Sequence, residues 1–130
     1  MVSFWVMRIA LTVDDSPSES SERIAATLEQ HGAKATFFVI GRKITTPTYR
    51  GEILRRLEAA GHEIGNHGHQ HLLAHEFGST EALQRDMEAC SALLSSEGVR
   101  MPRLFRPRGG IDAPLCGPAA RELEIGRAHV

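Results

Sequence analysis

Cysteine is scarce in this chain: Cys90 and Cys116 are the only two in 130 residues, too few for a disulfide framework. Cys90 falls on the apolar stripe of a predicted helix, where a small buried hydrophobe is the expected role. Charge of one sign is lacking too. The formal net charge of -1 excludes the basic field that holds a phosphate backbone, so nucleic acid is not an expected partner. No apolar run is long enough to span a membrane. The opening MVSFWVMRIALTV is interrupted by Arg8 and has neither the charged leader nor the small-residue cleavage site of an export signal. It reads as a buried first strand, and the compartment stays open. Repeats, low-complexity stretches and linkers are missing, which leaves one domain. No Gly-rich fingerprint follows the first strand, so a nucleotide-binding α/β domain is set aside.

Histidine, by contrast, is plentiful. There are seven, and His67, His69 and His71 fall within five positions. Imidazole is the commonest metal ligand, so this cluster draws the first functional reading.

The layout alternates strand and helix. Val6 to Val13 is predicted as a strand ending in the carboxylates Asp14 and Asp15. Ser18 and Ser20 are candidate caps for a helix whose stripe is Ile24, Ala25 and Leu28, with Gly32 as its stop. Ala35 to Ile40 is a continuous apolar run, as in a strand covered on both faces. A second helix spans Gly51 to Ala60, and His62 to Gly65 is a short strand. Ser79 begins a longer helix with Leu83, Met87, Cys90 and Leu94 on one face, ending at Gly98. Leu104 and Phe105 form another short strand, and Pro118 opens a last helix. This order predicts an α/β fold, parallel strands covered by helices, either doubly wound or a barrel. Chemistry in such folds gathers at the C-terminal strand ends, where Asp14, Asp15, His67 and Arg106 all fall.

Three constellations carry chemistry. Adjacent carboxylates can divide labour, one binding a metal while the other stays free as a general base; equally, Asp14-Asp15-Ser16-Pro17 is good turn chemistry and can cap a helix. On a helical turn His67 and His71, four apart, share a face while His69 points elsewhere. Two histidines and one carboxylate make three protein ligands with a position open for water, as at a catalytic zinc. The alternative is a solvated, histidine-rich polar loop. His62 and His75 are expected in packing or surface roles. In Phe105-Arg106-Pro107-Arg108-Gly109-Gly110, a buried Arg can hold a carboxylate bidentately and the glycines can bring backbone N–H groups close to a ligand, although Pro-x-Gly-Gly is first of all a turn.

Together the three resemble the polysaccharide deacetylase family, the carbohydrate esterases that remove N-acetyl groups from chitin-like and peptidoglycan sugars. The family's TFDDGP motif is matched by Thr12-Val13-Asp14-Asp15-Ser16-Pro17. Its His, Ser or Thr, two variable residues and His are matched by His67-Gly68-His69-Gln70-His71, and its RPPYG by Arg106-Pro107-Arg108-Gly109-Gly110. The stretches GAKATFFVIG and GHEIGNH are similar as well. The resemblance covers about residues 8 to 123. It implies an incomplete (β/α) barrel of the deacetylase type. It implies Asp14 as catalytic base, Arg106 orienting it, the Gly109 N–H at the oxyanion and Pro107 at the substrate. Asp15, His67 and His71 would bind a divalent metal, zinc first, with cobalt, nickel or manganese as alternatives. The implied partner is an N-acetylated polysaccharide or oligosaccharide. Competing readings are a non-catalytic metal- or carbohydrate-binding relative and a small-amide hydrolase on the same fold.

The chain departs from the family at Ser16 for Gly, at Gly68 for Ser or Thr, and at Gly109 for Tyr. The family's later motifs, with the histidine taken as catalytic acid, are not found before Leu123. Residues 1–123 are therefore expected to be a partial catalytic domain, inactive by itself. Glu124 to Val130 reads EIGRAHV, which in-frame translation of a common sequencing adapter yields, so 124–130 is expected to be a non-native tail.

Overall fold

The structure of the chain, a computed structural model, describes residues 3–45, 51–110, 114–123 and 126–127. Its strands are β1 (Leu11–Ser16), β2 (Ala35–Val39), β3 (Glu63–Asn66), β4 (Leu104–Phe105) and β5 (Gly126–Arg127). Its helices are α1 (Glu19–Gln30), α2 (Gly41–Ile44), α3 (Gly51–Ala59), α4 (Thr80–Ser96) and α5 (Cys116–Glu122). Every strand pair is parallel and the spatial order is β1-β2-β3-β4-β5. Sequential order decides between the two architectures left open by the sequence. A doubly wound sheet reverses direction at a switch point, whereas an arc that adds each strand beside the last is part of a barrel wall. Among the described residues β1 and β5 do not pair, so the arc is open.

The first strand begins five residues later than its apolar run predicts. Phe4, Trp5, Val6, Met7 and Ile9 are exposed, Trp5 at 97 %, and no strand forms before Leu11. The reason is pairing. Leu11 lies opposite Ala35, the first residue of β2, so the preceding chain has no neighbouring strand to bond with. β1 also runs through Asp14 and Asp15 to Ser16 instead of ending before them, with an irregularity in register between Val13 and Ser16. A bulge of this kind re-aims side chains at a sheet rim.

Ser18 caps α1: its Oγ accepts the Ser21 N–H, and Ser21 Oγ accepts the Ser18 N–H in return. Neither Asp14 nor Asp15 is the cap, which frees both for the rim. Phe37 and Val39 of β2 pack with Ala25, Leu54, Leu57, Cys90 and Leu94 in one core cluster. Leu83 and Met87 of α4 pack with Phe105, Cys116, Ala119 and Ala120 in a second. α4 thus joins the two, as its stripe predicts. Phe38 is buried on the other face of β2, against a glycine: a Cβ at Gly65 would stand 2.6 Å from the Phe38 ring. His62 takes the expected packing role, buried against Phe37 with Nδ1 accepting the Ala35 N–H, and His75 is exposed.

The backbone of Gly126–Arg127, inside the segment expected to be a tail, pairs with β4. The remaining residues of that segment lie outside the described ones. No helix among the described residues is long and apolar enough to cross a membrane.

Candidate active site

Four strand ends bring the predicted residues together. Asp15 sits in the β1 bulge, His67 directly follows β3, Arg106 directly follows β4, and α2 begins one residue after β2. Asp15 Oδ1 lies 3.3 Å from His67 Nε2 and 3.2 Å from His71 Nε2. One ligand atom from each of the three residues falls within 4.8 Å of the others.

His67 fixes the sign of what belongs between them. Its Nδ1 is 2.6 Å from the Arg106 carbonyl oxygen, which can only accept, so Nδ1 carries the hydrogen. In a neutral ring Nε2 then presents a lone pair to the Asp15 carboxylate, an arrangement that calls for a cation, either a proton or a metal ion. Protons fit poorly. The pKa of His71 is lowered from 6.5 by burial first and by His67 second, against a smaller pull from Asp15. A divalent ion fits better: ligands at about 2.0–2.2 Å from one tetrahedral ion stand roughly 3.4 Å apart, close to the two separations measured.

Backbone conformation points the same way. Among the described residues only Asp15 (φ 65°) and His71 (φ 60°) are non-glycine residues with positive φ, and both belong to the cluster of Asp15, His67 and His71. Each costs roughly 1–2 kcal/mol, which the surroundings must offset. Lys43 Nζ does so at Asp15, donating to its carbonyl oxygen at 2.6 Å. Strain gathered in one side-chain cluster is a mark of a functional site.

Asp14 stands outside that cluster. Arg106 Nη1 donates to Asp14 Oδ1 at 2.8 Å and to Thr12 Oγ1 at 3.0 Å, while its guanidinium lies 4.4 Å from the centre of the Phe38 ring. The bond to Asp14 uses one nitrogen and not the expected bidentate pair. Pro107 is buried, its carbonyl accepts the Gly110 N–H, and Gly109 follows in a left-handed turn at φ 70°. Cys90 is no competitor as a nucleophile, since burial pushes its thiol up to about 12.

The histidine segment is not the helical turn its spacing predicts. Residues 67–73 form no helix, and other groups take up the backbone. The wholly buried Asn66 accepts the Gly68 N–H at Oδ1 and donates from Nδ2 to the Met87 carbonyl and Ser91 Oγ. Asp86 Oδ2 accepts from the His69 N–H and Oδ1 from the Gln70 N–H. Gly41 N and Arg42 N, opening α2, donate to the Gly68 and His69 carbonyls. His69 points away from the ligands, its Nδ1 buried without a partner among the described residues, close to Gly41. Sequence reasoning passed over Thr12, Asn66 and Asp86. The signal for Asp86 was a carboxylate on the buried stripe of α4, three positions after Leu83 and four before Cys90.

Comparison with known proteins agrees with this geometry. The sequence profile described as polysaccharide deacetylase matches residues 6–126. A peptidoglycan-N-acetylglucosamine deacetylase of Bacillus cereus is 37 % identical over 103 residues, 78 % of this chain and 46 % of the relative. The peptidoglycan-N-acetylmuramic acid deacetylase PdaC of Bacillus subtilis is 33 % identical over 108 residues, 82 % of this chain and 22 % of that protein. The chain therefore spans less than half the length of either relative. A family 4 acetyl xylan esterase from Clostridium thermocellum, solved in complex with a cobalt ion, superposes with a TM-score of 0.75 at 29 % identity, covering 85 % of this chain and 53 % of that one. With the profile matched across nearly its whole length and the motif residues converging at the strand ends, the chain belongs to the polysaccharide deacetylase family.

Proposed function

We propose that this chain carries the base and the metal ligands of a deacetylase that hydrolyses N-acetyl groups of N-acetylglucosamine-containing polysaccharide, chitin-like or peptidoglycan-like. Asp15, His67 and His71 hold a divalent ion, zinc first by the chemistry of two imidazoles and a carboxylate, with cobalt, nickel or manganese as alternatives. Such an ion supplies Lewis acidity to an acyl oxygen and to water. Asp14, oriented by Arg106, takes the proton of the attacking water. Pro107 sets the course of the turn that presents the Gly109 N–H to the oxygen on which negative charge develops. The departing amine needs a proton donor, which we place outside residues 1–123, in the parent protein. Residues 124–130 we read as a non-native tail.

The observation that carries this reading is the separation of labour at the β1 rim. Asp15 shares a point with two histidines, while Asp14 next to it is tied to Arg106 instead. A site that only bound an ion or a sugar has no need of the second arrangement, which favours an enzyme over a binding relative.

The test sets metal content beside turnover of an N-acetylglucosamine oligomer in the parent protein. Asp15→Ala loses zinc and activity together. Asp14→Asn keeps zinc and slows by about 10²–10⁴, the usual cost of a missing general base. Zinc lost from Asp14→Asn and kept by Asp15→Ala reverses the two roles and defeats the reading.

A further inference from the structure

We propose that Asp86, on α4 and outside the proposed ligand set, is the residue that positions the metal-ligand loop, with Gly68 leaving its carboxylate room. The inference rests on the metal-site reading above.

A buried carboxylate needs a reason. Asp86 is 5 % exposed, on the same face of α4 as Leu83, Met87 and Cys90. Taking an ionised carboxylate out of water costs several kcal/mol unless its oxygens are bonded. Among the described residues no Lys or Arg pairs with it, and an apolar side chain there would serve the core better. Its recorded partners are two successive backbone N–H groups, His69 at 2.9 Å and Gln70 at 3.0 Å, one per oxygen. Bonds of this charge-assisted kind are about twice as strong as neutral ones. They fall between the two histidine ligands. Gln70 is the residue before His71, so its anchored N–H sets where the left-handed His71 begins.

Gly68 is the other half of the device. It has φ +85°, and a Cβ there would stand 2.9 Å from Asp86 Oδ2, closer than real Cβ contacts come. A side chain at 68 would therefore press on the Asp86 carboxylate, whose oxygen would have to shift from its seat. Asn66 Oδ1 meanwhile accepts the Gly68 N–H and holds that residue in register.

The experiment uses the chain itself and three readouts: zinc affinity by chelator competition, amide exchange at His69 and Gln70, and the metal-free thermal midpoint. Asp86→Asn keeps the shape of the side chain and turns an NH2 group toward one of the two donors. It should bind zinc roughly 10–100-fold more weakly, the usual cost of losing a partner behind a metal ligand. Exchange at His69 and Gln70 should quicken while β2 amides stay protected. Asp86→Glu, which keeps the charge, should recover part of the affinity. Gly68→Ser alone should also weaken zinc binding, and the Asp86→Ala/Gly68→Ser double variant should lose less than the two single losses combined. Zinc affinity equal to wild type in Asp86→Asn, or strictly additive losses in the double variant, overturns the proposal. A wild-type chain that ignores zinc defeats the metal reading instead. Exchange at His69 and Gln70 then still decides the question, because unchanged protection in Asp86→Asn removes Asp86 from the loop.

Discussion

Replacing Arg106 by Met separates the side chain from the backbone of one residue. Arg106 is buried at 6 % exposure, and its guanidinium makes three interactions. The bond to Asp14 at 2.8 Å is charge-assisted, but the Asp14 side chain is 38 % exposed, so solvent screening brings its net contribution to about 1 kcal/mol. The Thr12 bond at 3.0 Å adds about 1 kcal/mol. Stacking on Phe38 at 4.4 Å adds about 0.5–1 kcal/mol, part of which a methionine sulfur recovers. Nε is buried without a partner among the described residues, so its removal forfeits no bond. The loss is about 2 kcal/mol, a substantial share of the 5–15 kcal/mol that holds a domain together. The thermal midpoint should fall by roughly 5–10 °C. Zinc affinity should hardly change, because the group that receives the His67 Nδ1–H is the backbone carbonyl of residue 106, which Met supplies equally. A thermal melt and a chelator competition on one sample measure both. Zinc affinity falling as far as in Asp15→Ala would refute the argument, since the Arg106 side chain would then be acting on the ligands and not on Asp14.

The depressed pKa of His71 gives a pH dependence with a definite sign. The unfolded chain takes up this proton near 6.5 and the folded chain only at lower pH, so the stability tied to neutral His71 is full above 6.5 and is lost as pH falls toward the folded value. Urea titrations of the metal-free chain at about pH 7.5 and pH 5.5 should show a smaller drop in His71→Ala than in wild type, and equal drops would count against it. His69→Ala should leave zinc affinity nearly intact, since the ring is turned toward Gly41 and away from the ligands. A loss as large as that of His71→Ala would place His69 in the ligand set.

Local chemistry made much of this protein readable in its sequence. The double-sided apolar run of β2, the Ser18 cap, the helix start at Ser79 and the stripe of α4 each depend on a few neighbouring residues, and each is where its pattern puts it. The candidate ligands could be singled out because ligand chemistry restricts residue type, and the strand ends bring them together. The N-terminal segment was misread for a complementary reason: an apolar run records a preference for burial, but burial as a strand needs a partner, and β2 starts level with Leu11.

Spacing also misled at the histidines. A separation of four positions from His67 to His71 suits a helix, yet the backbone donors there are claimed by Asn66 and Asp86, the second of them 15 positions after His71. By itself, then, the sequence determined which candidate ligands lie at strand ends and where α1, α3 and α4 begin, whereas α2 went unread and α5 begins at Cys116, two residues before the expected Pro118. The tertiary structure alone decided the sequential strand order, the bulge that turns Asp15 toward the histidines while Asp14 meets Arg106, and the carboxylate behind the loop. Those depend on pairings between residues up to 94 positions apart, as with Thr12 and Arg106. No local pattern records such pairings, because the free energy that selects them comes from packing the whole chain.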